Sequence, residues 1–233
     1  MELDILIFGA HPDDVELGCA GTVIKEVQAG KKVGIIDLTR GELGTRGTAE
    51  SRDSETKAAT KIMGVAIREN MDFKDGFFKD DEEHKIALIK KIRKYRPEIV
   101  MTNAVSDRHP DHTRGSQITV DACFLAGLEK VVTGHEVWRP KAIYHYIQFN
   151  NLSPDLVVDI SEQMDLKLEA VNAYKTQFFD PNSNESETII SSQGFLESVS
   201  YRAKDLGRQA NCEYAEGFIT HQLPKIESLL DIK

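Results

Sequence analysis

The chain has 233 residues, 40% of them hydrophobic, enough apolar mass for one packed α/β core. A formal net charge of −9 without any lysine or arginine cluster argues against a nucleic-acid or anionic-membrane partner, both of which need a basic patch, and leaves a small molecule. Three scattered cysteines (Cys19, Cys123 and Cys212) argue against a disulfide framework or thiolate metal knuckle and fit a reducing cytoplasm; Glu2 and Asp4 stand where a signal peptide would be positive, and no apolar run nears the ~20 residues of a membrane span.

In chain order, the apolar run Leu3 to Ala10 reads as a buried strand and leads directly into His11-Pro12-Asp13-Asp14. Helical spacing from Val15 to Ala29 stops at Gly30, a C-terminal cap. Lys32 to Leu38 is a second strand, followed by the glycine-rich loop Thr39 to Gly47 and a helix from about Ser51 to Met63. A weaker third strand, Ile67 to Phe73, precedes the amphipathic helix Asp80 to Tyr95. The fourth strand, Glu98 to Asn103, runs into a second polar cluster, Ser106 to His112. A helix over Thr113 to Leu128, a fifth strand over Lys141 to Ile147 and a short strand over Leu156 to Ile160 follow. Ser161 is a suitable N-cap for a helix to about Tyr174, Asp180 to Glu187 reads as a mobile loop, and Ile189 to Leu206 as a long helix interrupted near Gly194. The tail from Cys212 carries an aromatic patch, Tyr214 and Phe218, and then a short helix.

Alternating strands and helices predict a doubly wound, Rossmann-like, mostly parallel α/β sheet of order 3-2-1-4-5, with a core over about residues 1–150 and a C-terminal extension over about 151–233 of one domain. Strands one and four are then neighbours, and the crevice beyond their carboxyl ends is where such sheets bind ligands. Both polar clusters follow those two strands. A dinucleotide site would instead need G-x-G-x-x-G at the first turn, where Asp13 and Asp14 would repel a pyrophosphate.

Imidazoles and carboxylates at the lip of a core need a compensating partner, and a metal ion is the obvious one. Two imidazoles and one carboxylate with an open position suit a catalytic zinc, and the same set describes a non-haem Fe(II) site. A hydrolase, an iron enzyme and a non-catalytic metal-binding module are all compatible with the residues alone.

His11-Pro12-Asp13-Asp14 with Glu16 and Gly18, Thr39-Arg40-Gly41-Glu42, His109-Pro110-Asp111-His112 and Tyr214-Ala-Glu-Gly-Phe218 resemble, in that order, the motifs of the PIG-L/LmbE-like zinc-dependent N-deacetylases. Within that family the chain is most similar to the branch that deacetylates N-acetylglucosaminyl-malate in bacillithiol synthesis; a chitin oligosaccharide is the alternative substrate. The resemblance implies metal ligands His11, Asp14 and His112, Asp13 as general base, His109 as oxyanion stabiliser and Asp111 as the group that orients His109. It also implies a cytoplasmic homo-oligomer, a hexamer, acting on a small N-acetylated amino sugar. Glu42, Arg52 and Arg139 are substrate-contact candidates: Arg52 could fork onto a malate carboxylate or be an exposed helix-start arginine, and Arg139 could close over the site from a neighbouring subunit or be a loop cation.

Overall fold

A computed structural model describes residues 1–228 and 230. Strands β1 (Ile5–Gly9), β2 (Val33–Thr39), β3 (Ile67–Phe73), β4 (Ile99–Thr102) and β5 (Ala142–Tyr146) pair in parallel in the order 3-2-1-4-5, as the alternation of elements predicts. Ile5 of β1 lies level with both Val33 and Ile99, so the strand is flanked on each side and wholly buried. Its residues alternate between two cores. Ile5 and Ile7 face α1 (Asp14–Gln28) and α2 (Ala49–Met63), while Leu6 and Phe8 face α3 (Glu82–Tyr95) and α4 (Pro110–Ala126).

Local chemistry sets the helix starts. Thr48 and Ser51 form a reciprocal capping box at α2, and the Asp81 carboxylate accepts from His84 N at α3. Gly64 closes α2 at a φ of 69°, the left-handed cap that glycine adopts without strain. The fourth helix begins at Pro110 rather than Thr113, because proline suits the first helical position and His109 caps it. Asp111 and His112 therefore sit on a rigid first turn instead of a loop.

The C-terminal extension departs from the predicted pattern. Phe218 of the aromatic tail patch belongs to a strand, β7 (Ala215–Thr220), which starts just after Tyr214, inserts antiparallel between β5 and β6 (Leu156–Asp159) and completes the seven-stranded order 3-2-1-4-5-7-6. Gln163, not Ser161, precedes α5 (Met164–Asn172); the Ser161 hydroxyl donates to Asp159 Oδ1 at 2.6 Å instead. Helix α6 (Gln193–Gln209) starts four residues beyond Ile189, with Gly194 in its unbroken first turn and Ser192 as its cap. The loop Asp180 to Glu187 is tied to the glycine-rich loop: Arg46 donates to Ser183 Oγ at 2.6 Å and Gly47 N to Glu185 at 2.9 Å. Residues 221–228 form no helix, and the rest of the predicted tail helix lies largely outside the described residues.

Helix α1 is kinked at Cys19, whose backbone leaves helical geometry (φ −150°). The amides of Gly21 and Thr22, released by the kink, donate to the buried Glu216 carboxylate of β7 at 3.0 and 2.7 Å, and Lys167 of α5 neutralises that carboxylate at 2.6 Å. A buried ion pair is favourable only when its remaining valences are satisfied, as here. The extension thus holds α1, the helix whose first residue is Asp14 of the site.

Candidate active site

The site is built at the carboxyl ends of β1, β2 and β4. Thr39 donates to Ala10 O through both its amide (3.1 Å) and its hydroxyl (2.9 Å), and Asn103 Oδ1 accepts from Ala10 N at 2.9 Å, so the three strand ends are pinned together. Beyond Ala10 the chain turns through Asp13 at a φ of 108°, a conformation that residues with a side chain rarely adopt. Helix α1 begins at the next residue.

The two sequence clusters meet here. His112 Nε2 lies 3.1 Å from Asp14 Oδ1, and His11 Nδ1 is 3.6 Å from Asp14 Oδ2. The rings of His11 and His109 meet edge to face with centroids 4.6 Å apart. Around Asp14 and His112 lie partners that the sequence reading passed over. Asn103 and Gln148 donate to the two Asp14 oxygens at 3.0 and 2.6 Å, and Asp107 Oδ2 holds His112 Nδ1 at 3.1 Å. Asp75, from the loop after β3, sits 3.0 Å from His11 Nε2. Asn103 and Asp107 stand within the polar stretch after strand four and could have been singled out; nothing local marks Asp75 or Gln148.

Electrostatics separate the roles of these groups. Burial pushes the His11 imidazole down, but hydrogen bonds to Asp111, Asp14 and Asp75 outweigh it and hold the ring well above its ordinary value. His112, likewise opposed by burial, is lifted to about 9 by Asp14 and Asp107. Asp14 is held well below the carboxylate range by His112 and His11 despite its burial. Asp13 goes the other way: burial, only partly opposed by Arg52 and reinforced by Asp14, raises it to about 7. Its carboxylate accepts no hydrogen bond among the described residues. Burial, His11 and His112 keep the His109 imidazole below its usual value, and its Nδ1 accepts from Asp111 N at 3.3 Å, which leaves the ring hydrogen on Nε2.

A cavity of about 410 Å³ opens over these groups, within the range of small-ligand sites. Arg52 lines it and is 6% exposed, so it is not an exposed helix-start arginine. Its guanidinium forms no hydrogen bond or ion pair among the described residues. Gly41 makes room for it: a Cβ there would stand 2.0 Å from Arg52 Nη1, and the φ of 64° already favours glycine. Two candidates, Asp111 and Glu42, lie elsewhere than expected. The Asp111 carboxylate faces away from His109; it lies 3.4 Å from His11 Nε2, accepts from Gly76 N at 2.7 Å and pairs with Arg114 at 2.5 Å, because the first turn of α4 directs it beneath the site. Glu42 is exposed and supports the wall rather than lining it, accepting from Asp75 N at 2.8 Å. Arg139 lies outside its own chain's cavity, stacked 4.8 Å over Phe124 and donating to Phe124 O.

The donor chemistry fits a divalent cation. Ligand atoms of His11, His109 and His112 lie within 4.8 Å of one another, as do those of His11, Asp75 and Asp111. The nitrogen and carboxylate donors suit zinc or iron, and the Asp107 carboxylate behind His112 is the outer-shell partner that metal-binding imidazoles usually have.

Residues 6–123 match the family model described as PIG-L: GlcNAc-PI de-N-acetylase. The chain is 30% identical over 189 residues to the diacetylchitobiose deacetylase of Thermococcus kodakarensis, covering 75% of this chain and 70% of that one. It is 29% identical over 199 residues to a probable N-acetyl-alpha-D-glucosaminyl L-malate deacetylase of Bacillus anthracis, covering 76% and 82%. Among solved structures, a conserved protein from Thermus thermophilus superposes with a TM-score of 0.88 at 35% identity, over 97% of this chain and 98% of that one.

Proposed function

The chain belongs to the PIG-L family of de-N-acetylases, and on that premise we propose that it hydrolyses the N-acetyl group of an N-acetylglucosaminide to the free amine and acetate. The residues of about 1–150 and 151–233 act as one domain, in the cytoplasm, as a homohexamer. His11, Asp14 and His112 would hold a zinc ion, which would supply Lewis acidity, making water a better nucleophile and the acetamide carbonyl a better electrophile.

Asp13 takes the proton from the attacking water, and its elevated proton affinity in a buried site suits it to hold that proton and return it to the departing amine nitrogen. His109 donates from Nε2 to the carbonyl oxygen as negative charge develops there, the proton position being set by its Nδ1 contact with Asp111 N. The Asp111 carboxylate acts on His11 rather than on His109, holding the ring from its far side. Arg52 faces the substrate with its donors unspent and binds a carboxylate or hydroxyl of the sugar conjugate. N-acetylglucosaminyl-malate of bacillithiol synthesis is the substrate this reading favours, supported by the Bacillus anthracis relative; diacetylchitobiose, named for the Thermococcus relative, is the alternative.

The observation that carries the reading is the Asp13 carboxylate, buried beside His11, Asp14 and His112 yet without a hydrogen bond among the described residues. Acetate release is measured from N-acetylglucosaminyl-malate, free N-acetylglucosamine and diacetylchitobiose. Asp13→Ala should retain bound metal and lose most turnover, whereas Asp14→Ala should lose metal. Normal activity in the first variant would remove Asp13 from the role of base, and unchanged metal content in the second would show the aspartates interchanged. Comparable rates on all three substrates would defeat the malate assignment while leaving the deacetylase one.

A further inference from the structure

Arg108 stands at the cavity wall immediately before His109 and is exposed, and its guanidinium has no carboxylate partner among the described residues. Nearby acids are otherwise engaged. The Asp107 carboxylate accepts from His112 Nδ1, from Phe149 N at 3.3 Å and from the backbone amide of Arg108, while Glu185 is taken by Arg46 and Gly47 N. The guanidinium instead rests 4.9 Å over the Phe149 ring, which stacks on Phe195 at 6.0 Å, which stacks on Phe178 at 6.1 Å. A cation over a ring face is held in place without its hydrogen-bond donors being used. Asp107 accepts from the backbone amides of Arg108 and Phe149 as well as from His112, so the backbone of this platform is tied to the reacting groups.

Resting on the deacetylase reading above, we propose that Arg108 is the specificity-determining residue of this site: perched on Phe149, it binds a carboxylate on the group attached to the sugar, and so selects N-acetylglucosaminides with an acidic aglycone over neutral ones. A planar fork with free donors recognises a carboxylate through two parallel bonds; Arg108 offers one at the exposed edge of the cavity, whereas Arg52 is buried in its wall.

The test compares kcat/KM for N-acetylglucosaminyl-malate with that for the neutral malate diamide of the same glycoside, using metal-loaded full-length protein. Arg108→Gln should lower the acid-to-neutral ratio about 10- to 100-fold, mainly through KM. Rising salt should lower kcat/KM for the acid in the wild type and much less in the variant. Arg108→Lys should fall between, keeping the charge without the fork, and Phe149→Ala should lower the ratio in the same direction. Thermal unfolding and metal content of each variant separate loss of recognition from loss of structure. An unchanged ratio in Arg108→Gln, or equal loss on both substrates, overturns the assignment. A wild-type enzyme that deacetylates both substrates without preference refutes the inference and keeps the deacetylase reading; acetate released from neither substrate refutes the reading itself.

Discussion

Substituting Gly18 by alanine sets two physical effects against each other. Gly18 lies within α1, where replacing glycine by alanine in an exposed helix would stabilise by up to about 1 kcal/mol. Here the new Cβ would stand 2.3 Å from Tyr146 Cδ2 and 2.9 Å from Cε2, against an ordinary van der Waals contact of 3.4–4 Å. The ring must therefore withdraw by more than an ångström, and it has nowhere to go: Tyr146 is fully buried and its hydroxyl donates to Phe8 O at 3.1 Å. Overpacking costs about 1–3 kcal/mol and loss of the hydroxyl bond about 1 kcal/mol more, so the net is a destabilisation of about 1–3 kcal/mol. For a chain of this length that lowers Tm by about 2–12 °C. Calorimetry of Gly18→Ala, Tyr146→Ala and the double variant decides the matter. In the Tyr146→Ala background the clash is absent, so Gly18→Ala should become neutral or stabilising. A rise in Tm for Gly18→Ala alone, or purely additive effects in the cycle, would refute the packing argument.

Asp107→Asn should weaken metal binding about 10- to 100-fold in competition with a chelator, because His112 loses the carboxylate that orients its ring; unchanged affinity would show that contact to be incidental. Glu69, bound by Lys91, Tyr95 and Lys94, is depressed to about 2 although burial opposes this. A depressed carboxylate stabilises above its unfolded pKa and loses that contribution as pH falls through its folded one. The stability difference between wild type and Glu69→Gln should therefore be full above about pH 5, about 1 kcal/mol after screening, and vanish near pH 2 in denaturant titrations. In thiol titration of the folded protein Cys212, the partly exposed thiol, should react ahead of Cys19 and Cys123, which are buried; rapid labelling of all three at one rate without denaturant would contradict this packing.

Much was legible in the chain because its signals are local. The continuous apolar run before His11 reads as a strand covered on both faces, and Pro110 after His109 marks a helix start, three residues ahead of the Thr113 that apolar spacing suggests. Alternation of strands and helices, with right-handed crossovers, then made strands one and four neighbours and brought His11 and His112 together. The extension was less legible. Residues Ala215–Thr220 pair with β5 and β6 as an inserted antiparallel strand, and no turn signal or alternation in the tail announces partners so distant in sequence.

The residue types and their order determined the chemistry on offer: imidazoles and carboxylates at two strand ends, with a spare carboxylate between two of them. Tertiary structure alone decided how the jobs are divided. Asp111 turns under His11 because the helix places it there, Asp75 and Gln148 arrive from loops that carry no motif, and Asp13 and Asp14, adjacent and chemically identical, acquire opposite proton affinities. The reason is that the proton affinity of a carboxylate is set by its partners and its burial. Those are properties of the assembled sheet edge, to which Asn103 and Gln148 come from just beyond β4 and β5 and His112 from the first turn of α4, all far along the chain.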